Sequence, residues 1–127
     1  MLLDTHVFLW SQISTSRLGD VLDTLGDPGN ELVVSAATAW EITIKSALGR
    51  LPLPEPASSW VPRRIADLGA RAAGIEHHDA LGVAALPPLH ADPFDRLLIA
   101  QARRNGWTLV TADRRVWLYD VALLRVP

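Results

Sequence analysis

The chain of 127 residues contains no cysteine. Disulfides, thiolate nucleophiles and cysteine-ligated zinc are therefore excluded. Lysine is nearly absent as well: of 12 basic side chains only Lys45 is a lysine, and the rest are arginine. Neither charge sign dominates, because 14 acidic residues give a formal net charge of −2. That excludes a uniformly basic nucleic-acid coat and leaves room for a local arginine patch. No apolar run has the length of a membrane span, and Met1-Leu2-Leu3-Asp4 has no basic segment leading into a hydrophobic one. The expectation is a cytoplasmic protein without signal peptide or membrane contact. There is no internal repeat and no low-complexity tract. What is present is a hydrophobic fraction of 49%, which suits a folded core, and residues 1–127 read as one domain.

Strand and helix signals alternate along the chain. Met1 to Leu3 is short, apolar and stopped by Asp4, as a buried strand is. Phe8 to Gln12 reads as a short helix, and Ser16 to Leu25 as a second with Leu18, Val21, Leu22 and Leu25 on one face. After the turn Asp27-Pro28-Gly29-Asn30, Leu32 to Val34 is the second strand. Ser35 caps a helix from Ala36 to about Leu48, which Gly49 ends. Ala57 to Arg71 reads as helix, Gly74 to Glu76 as a strand, and Asp79 to Leu86 as a helix stopped by Pro87-Pro88. Asp92 caps the next helix, Pro93 to Arg104, with proline at its first position. Trp107 to Thr111 is a strand, Arg114 to Tyr119 a helical turn, and Val121 to Val126 a last strand. Alternation of this kind implies a three-layer α/β/α fold around a central parallel sheet. In such sheets the chemistry sits beyond the carboxyl ends of the strands.

That rule selects Asp4, directly after the first strand, and Asp113, two residues past Thr111. Taken singly, each also reads as a helix cap. Glu41 lies in a helix that is apolar around much of its circumference. It either pairs with Lys45 four residues on or points into a cleft. Asp95 is the most informative. It shares a stripe with Ile99 and Ala102 in a helix that is almost entirely apolar, so it needs a partner where it is buried. The helix dipole contributes at most about 1 kcal/mol, too little to offset burial. Asp92 has a sufficient explanation as the N-cap. Four carboxylates brought together would repel one another pairwise by about 3–4 kcal/mol at an effective dielectric near 20. Such a pocket holds protons or a cation. An oxygen-only site suits Mg²⁺ or Mn²⁺, and such an ion serves phosphodiester cleavage. One or two ions both meet the requirement.

Four segments carry a family likeness: Leu2 to Trp10, Ser35 to Ile42, His90 to Ala102, and Leu109 to Asp113. In this order they resemble the PIN-domain ribonucleases, and among these the toxins of VapBC-type toxin–antitoxin modules. The resemblance implies a parallel sheet with helices on both faces. It implies metal-ligating and catalytic acids at Asp4, Glu41, Asp95 and Asp113, with Mg²⁺-dependent RNA cleavage in which Mn²⁺ substitutes. It also implies a cognate antitoxin protein and a homodimer. In the family the third acid precedes a helical run of small and apolar residues, which selects Asp95 over Asp92. Thr111 adds a hydroxyl beside the site. The segment Leu51 to Asp79 carries no diagnostic residue.

Further residues have two readings each. His6 and His90 adjoin the acidic motifs, as acid–base groups or as supports. Arg96, Arg114 and Arg115 flank the same motifs, as phosphate binders or as solvated surface. Trp10, Trp60 and Trp117 fall in short or irregular segments, and some of that apolar area is expected at the surface, where it would mark an interface. Three rival functions are weighed against this. A signalling receiver requires paired acids after the first strand and a late lysine; here Thr5 follows Asp4 and the only lysine is Lys45. A haloacid-dehalogenase-like phosphatase requires a second aspartate where His6 stands. A non-catalytic RNA-binding module does not need all four acids.

Overall fold

The computed structural model describes residues 1–127. Its centre is a sheet of five parallel strands in the order β3-β2-β1-β4-β5. These are β1 (Leu2–Leu3), β2 (Val33–Ser35), β3 (Arg71–Ala73), β4 (Leu109–Thr111) and β5 (Leu123–Arg125). Six helices cover it: α1 (Thr5–Ile13), α2 (Val21–Gly26), α3 (Ala36–Ala47), α4 (Ala57–Asp67), α5 (His77–Gly82) and α6 (Pro93–Asn105). The three-layer α/β/α arrangement read from the sequence is the one observed. No helix is long and apolar enough to cross a membrane.

The two-residue period of a strand explains both layers. Leu3, Val34 and Val110 point to one side and join Val7, Phe8, Leu18, Ile42 and Trp60. Leu2, Val33 and Leu109 point to the other and join Ala37, Leu98, Ile99, Val116 and Tyr119. A strand buried on both faces reads as a continuous apolar run, as all three do.

Several element boundaries differ from the sequence reading. α1 begins at Thr5 rather than Phe8, because the Asp4 carboxylate accepts from the Val7 amide at 2.8 Å and starts the helix earlier. The helix read from Ser16 to Leu25 is broken: a 3₁₀ turn at Thr15–Leu18 and α2 are separated by Gly19, at φ 54°. The helix read to Arg71 ends at Asp67, where Gly69 takes a left-handed conformation and Ala70 closes on the Ile65 carbonyl. The strand read at Gly74 to Glu76 lies instead at Arg71–Ala73. Ile75 carried the β signal, but pairing with β2 decides the register, and Arg-Ala-Ala supplies only backbone to it. α5 starts at His77 and gives way at Val83–Ala85 to a 3₁₀ turn. Among the tryptophans, Trp60 is buried, Trp10 and Trp117 are half-buried, and Trp40 is 60% exposed.

β1 is the switch point of the sheet. The chain runs from it to β2 and β3 on one side, then returns to add β4 and β5 on the other. The crevice beyond the carboxyl ends of β1 and β4 is where such sheets bind ligands. Leu3 stands opposite Val110 there, and the Asp4 amide donates to the Val110 carbonyl at 3.0 Å.

Candidate active site

Asp4 occupies this crevice as the N-cap of α1, with only 4% of its surface exposed. Burial pushes its carboxyl above the ordinary aspartate range, and the nearby Asp113 charge pushes the same way; the Thr111 hydroxyl, the Val7 amide and His6 pull it back. No cation is ion-paired with it. Next to Asp4, the buried Thr5 hydroxyl meets the Thr38 hydroxyl of α3 at 3.2 Å, tying the two helices together.

Asp113 follows β4 in a tight turn in which its amide donates to the Thr111 hydroxyl at 3.0 Å. One of its oxygens accepts from the Arg115 amide, and the Arg115 guanidinium grips both oxygens, at 3.1 and 2.8 Å. That grip holds the Asp113 carboxyl below its ordinary range, against a smaller opposing effect of burial.

Asp95 lies in the first turn of α6, its side chain 15% exposed. Its Oδ2 is 3.1 Å from His90 Nε2, and His90 Nδ1 is 2.8 Å from the Tyr119 hydroxyl. Arg96 steadies that hydroxyl at 2.9 Å and donates to the Pro87 carbonyl at 2.8 Å. Asp92 is the N-cap, one oxygen accepting from the amides of Phe94 and Asp95. Burial raises the Asp95 carboxyl to about 6; the Asp92, Asp4 and Asp113 charges add to the rise, and the His90 hydrogen bond opposes it. Those couplings place Asp4, Asp95 and Asp113 in one electrostatic neighbourhood.

Glu41 is 3% exposed and takes up both of its sequence readings: it is buried, and Lys45 Nζ lies 2.5 Å from its Oε2. It shares a face of α3 with Thr38, one turn away. As the side chains stand, no three carboxylates or imidazoles are close enough to grip one ion together. Arg115, His90 and Lys45 each draw one acid toward a partner of its own. The donor chemistry nonetheless fits a hard divalent cation, being carboxylate oxygens with no sulfur. Burial raises two of those carboxylates, the buried Asp4 and the half-buried Asp95, and a cation beside them would offset that cost.

Of the remaining residues singled out by sequence, Thr111 is buried beside Asp4 and Asp113. His6 is exposed at the rim of an open pocket of about 240 Å³ that it shares with Asp4, Trp10, Ala112 and Asp113. The Arg114 guanidinium lies 5.9 Å from the Trp117 ring. Tyr119 was not singled out as a functional residue, and no local pattern points to it. It meets His90 from 29 residues away.

The chain matches the PIN domain family over residues 1–124. The ribonuclease VapC22 of Mycobacterium tuberculosis is 35% identical over 117 residues, which cover 91% of this chain and 88% of that protein. The fold is similar to VapBC2 from Rickettsia felis, solved bound to a DNA fragment from its promoter, with a TM-score of 0.72 at 13% identity over 98% of this chain and 96% of that one. It is also similar to a toxin–antitoxin complex from Klebsiella pneumoniae, with a TM-score of 0.68 at 13% identity over 99% and 97% of the two chains.

Proposed function

The chain belongs to the PIN-domain family, and from that premise we propose that residues 1–127 form a metal-dependent endoribonuclease, the toxin of a toxin–antitoxin pair. The observation that carries this reading is the pair Asp4 and Asp95: a buried and a half-buried carboxylate beside the switch point of the sheet, both raised in pKa and neither paired with an arginine or lysine. Asp4, Asp95, Asp113 and Glu41 would hold Mg²⁺, the last two in place of their present partners Arg115 and Lys45. When bound, Mg²⁺ or Mn²⁺ neutralises charge at the phosphate and lowers the pKa of the attacking water. Asp4 is kept in place by its cap bond to Val7 and by Thr111. His90, fixed by Tyr119, orients Asp95. Arg115, released from Asp113, is then free to meet the phosphate.

The kind of complex the similar structures contain supports an antitoxin as partner. Trp40, Leu81 and Leu118 are 60%, 70% and 69% exposed, apolar area that a partner would cover. We assign it to an antitoxin and to a second copy of the chain. An antitoxin basic side chain entering among the acids would compete with the metal for the same charge.

The test has two arms. Purified protein is given RNA with Mg²⁺, with Mn²⁺ or after exhaustive chelation; cleavage only in the metal-containing reactions is expected, and full activity after chelation would overturn the metal mechanism. The chain is also expressed alone and with the adjacent small open reading frame. Growth arrest that vanishes with Asp4→Asn and is relieved by the neighbour supports the toxin reading. Normal growth at verified soluble expression contradicts it.

A further inference from the structure

Two open pockets meet on the outer side of α1. The pocket holding Asp4 and Asp113 is lined by His6 and Trp10. A neighbouring pocket of about 300 Å³ is lined by the same His6 and Trp10, and continues to Lys45 and Arg50. Together they form one groove leading away from the acidic crevice. Helix periodicity builds its floor: His6, Trp10 and Ile13 stand at i, i+4 and i+7 on one stripe of α1. That stripe runs about 10 Å along the axis, starting two residues after Asp4. Part of Trp10 packs on the core beside Leu9, and the rest faces the groove.

Arg50 lines the groove, and Arg17 lies outside its lining but against Trp10. Arg17 reaches over the Trp10 ring at 5.2 Å, and the His6 and Trp10 rings are 6.0 Å apart. Neither Arg17 nor Arg50 has a carboxylate partner; the arginines in ion pairs are Arg63, Arg64, Arg71, Arg104 and Arg115. Lys45 is turned to Glu41. An aromatic platform beside unpaired guanidinium groups, continuous with a phosphodiester site, matches one class of ligand. Single-stranded nucleic acid offers bases to stack and phosphates to pair, whereas a duplex hides its bases. By contrast, Arg96 is engaged by protein groups and Arg115 by Asp113.

Resting on the ribonuclease reading above, we propose that the groove over Trp10 is a subsite for the single-stranded RNA flanking the cleaved bond. The indole of Trp10 takes a base, and Arg17 and Arg50 take the phosphates on either side of it.

The test measures binding of a short fluorescein-labelled single-stranded RNA to the full chain by anisotropy. Chelator is present, and the RNA is checked for integrity. The double variant Arg17→Ala/Arg50→Ala is expected to bind about tenfold more weakly. The slope of log affinity against log salt should fall by about 0.7 for each cation removed, the single-strand value. Trp10→Leu is expected to weaken binding about fivefold or more through lost stacking while leaving that slope in place. A structural defect alone would not separate the two signatures, and the exposed arginines keep the test valid if Trp10→Leu fails to fold. Wild-type affinity and slope in the double variant, with RNA still cleaved by the wild type, would overturn the subsite and leave the ribonuclease reading standing. Loss of antitoxin binding with RNA binding intact would overturn it in favour of a peptide occupant. Absence of cleavage by the wild type, with Mn²⁺ supplied, would instead strike the underlying reading.

Discussion

Asp79 and Asp4 are equally inaccessible, at 0% and 4% exposed, yet their acidities move in opposite directions. Asp79 bridges the start of α5 to the end of α6. Burial raises it, but the Arg104 guanidinium, the Glu76 amide and the nearby charges outweigh burial and bring it below the ordinary range. Asp4 receives an amide and a hydroxyl but no guanidinium, and burial wins. Asp95 is in the same position, with an imidazole in place of a guanidinium. The difference separates two uses of a buried acid. A carboxylate closed by its own arginine is a strut between helices. A carboxylate left short of positive charge is a place for a cation to arrive. Asp113 stands between the two, held charged by Arg115 until something displaces that arginine.

The comparison can be broken hardest at Asp95. Asp95→Asn is expected to lower RNA cleavage about 10³-fold or more, the loss of several kcal/mol of metal-based stabilisation. Asp92→Asn should retain most activity, because asparagine is itself a good N-cap. Equal losses in the two variants, read in single-turnover assays, would remove the distinction drawn here.

Stability should move the other way at the same residue. An acid raised from 3.8 to about 6 on folding carries no penalty below pH 4. The penalty grows as pH rises between the two values and is constant above about 6. In metal-free buffer at pH 7, Asp95→Asn should therefore be more stable than wild type by up to about 3 kcal/mol, with the gain vanishing near pH 4. Urea titrations at the two pH values check this.

Asp79→Asn should show the mirror image. A lowered acid contributes stability that is present above its unfolded pKa and is lost as pH falls through the folded one. The variant is expected to lose about 1.5–3 kcal/mol near neutrality, the worth of a charge-assisted hydrogen bond, and to approach wild type in acid. The smallest effect is at Arg115. Arg115→Ala frees Asp113, and Mn²⁺ affinity should rise two- to fivefold, roughly what an exposed ion pair is worth. Calorimetry that showed weaker binding would place Arg115 as a support rather than a competitor.

The sequence by itself determined the features that act within a turn or two. Asp4, Ser35 and Asp92 are caps because a short polar side chain just before a helix meets the amides two or three residues ahead. The apolar run around Asp95 made its partial burial and its need of a partner legible, and Lys45 four residues after Glu41 made that pairing one of two open readings. Which strands lie side by side was readable only as a fold class. That β1 meets β4, so that Asp4 and Asp113 share a crevice, is decided by packing both faces of the sheet. The edge strand Arg71–Ala73 has no pattern of its own and exists because β2 offers it a ladder. Trp60 is buried because α4 is laid against Phe8, at a ring separation of 6.3 Å. The cation that each buried acid meets, Arg104 for Asp79 from 25 residues away and none for Asp4, is likewise set by tertiary placement. Local hydrogen bonds are encoded within four residues of sequence, whereas charge pairing across a core depends on where distant elements come to rest.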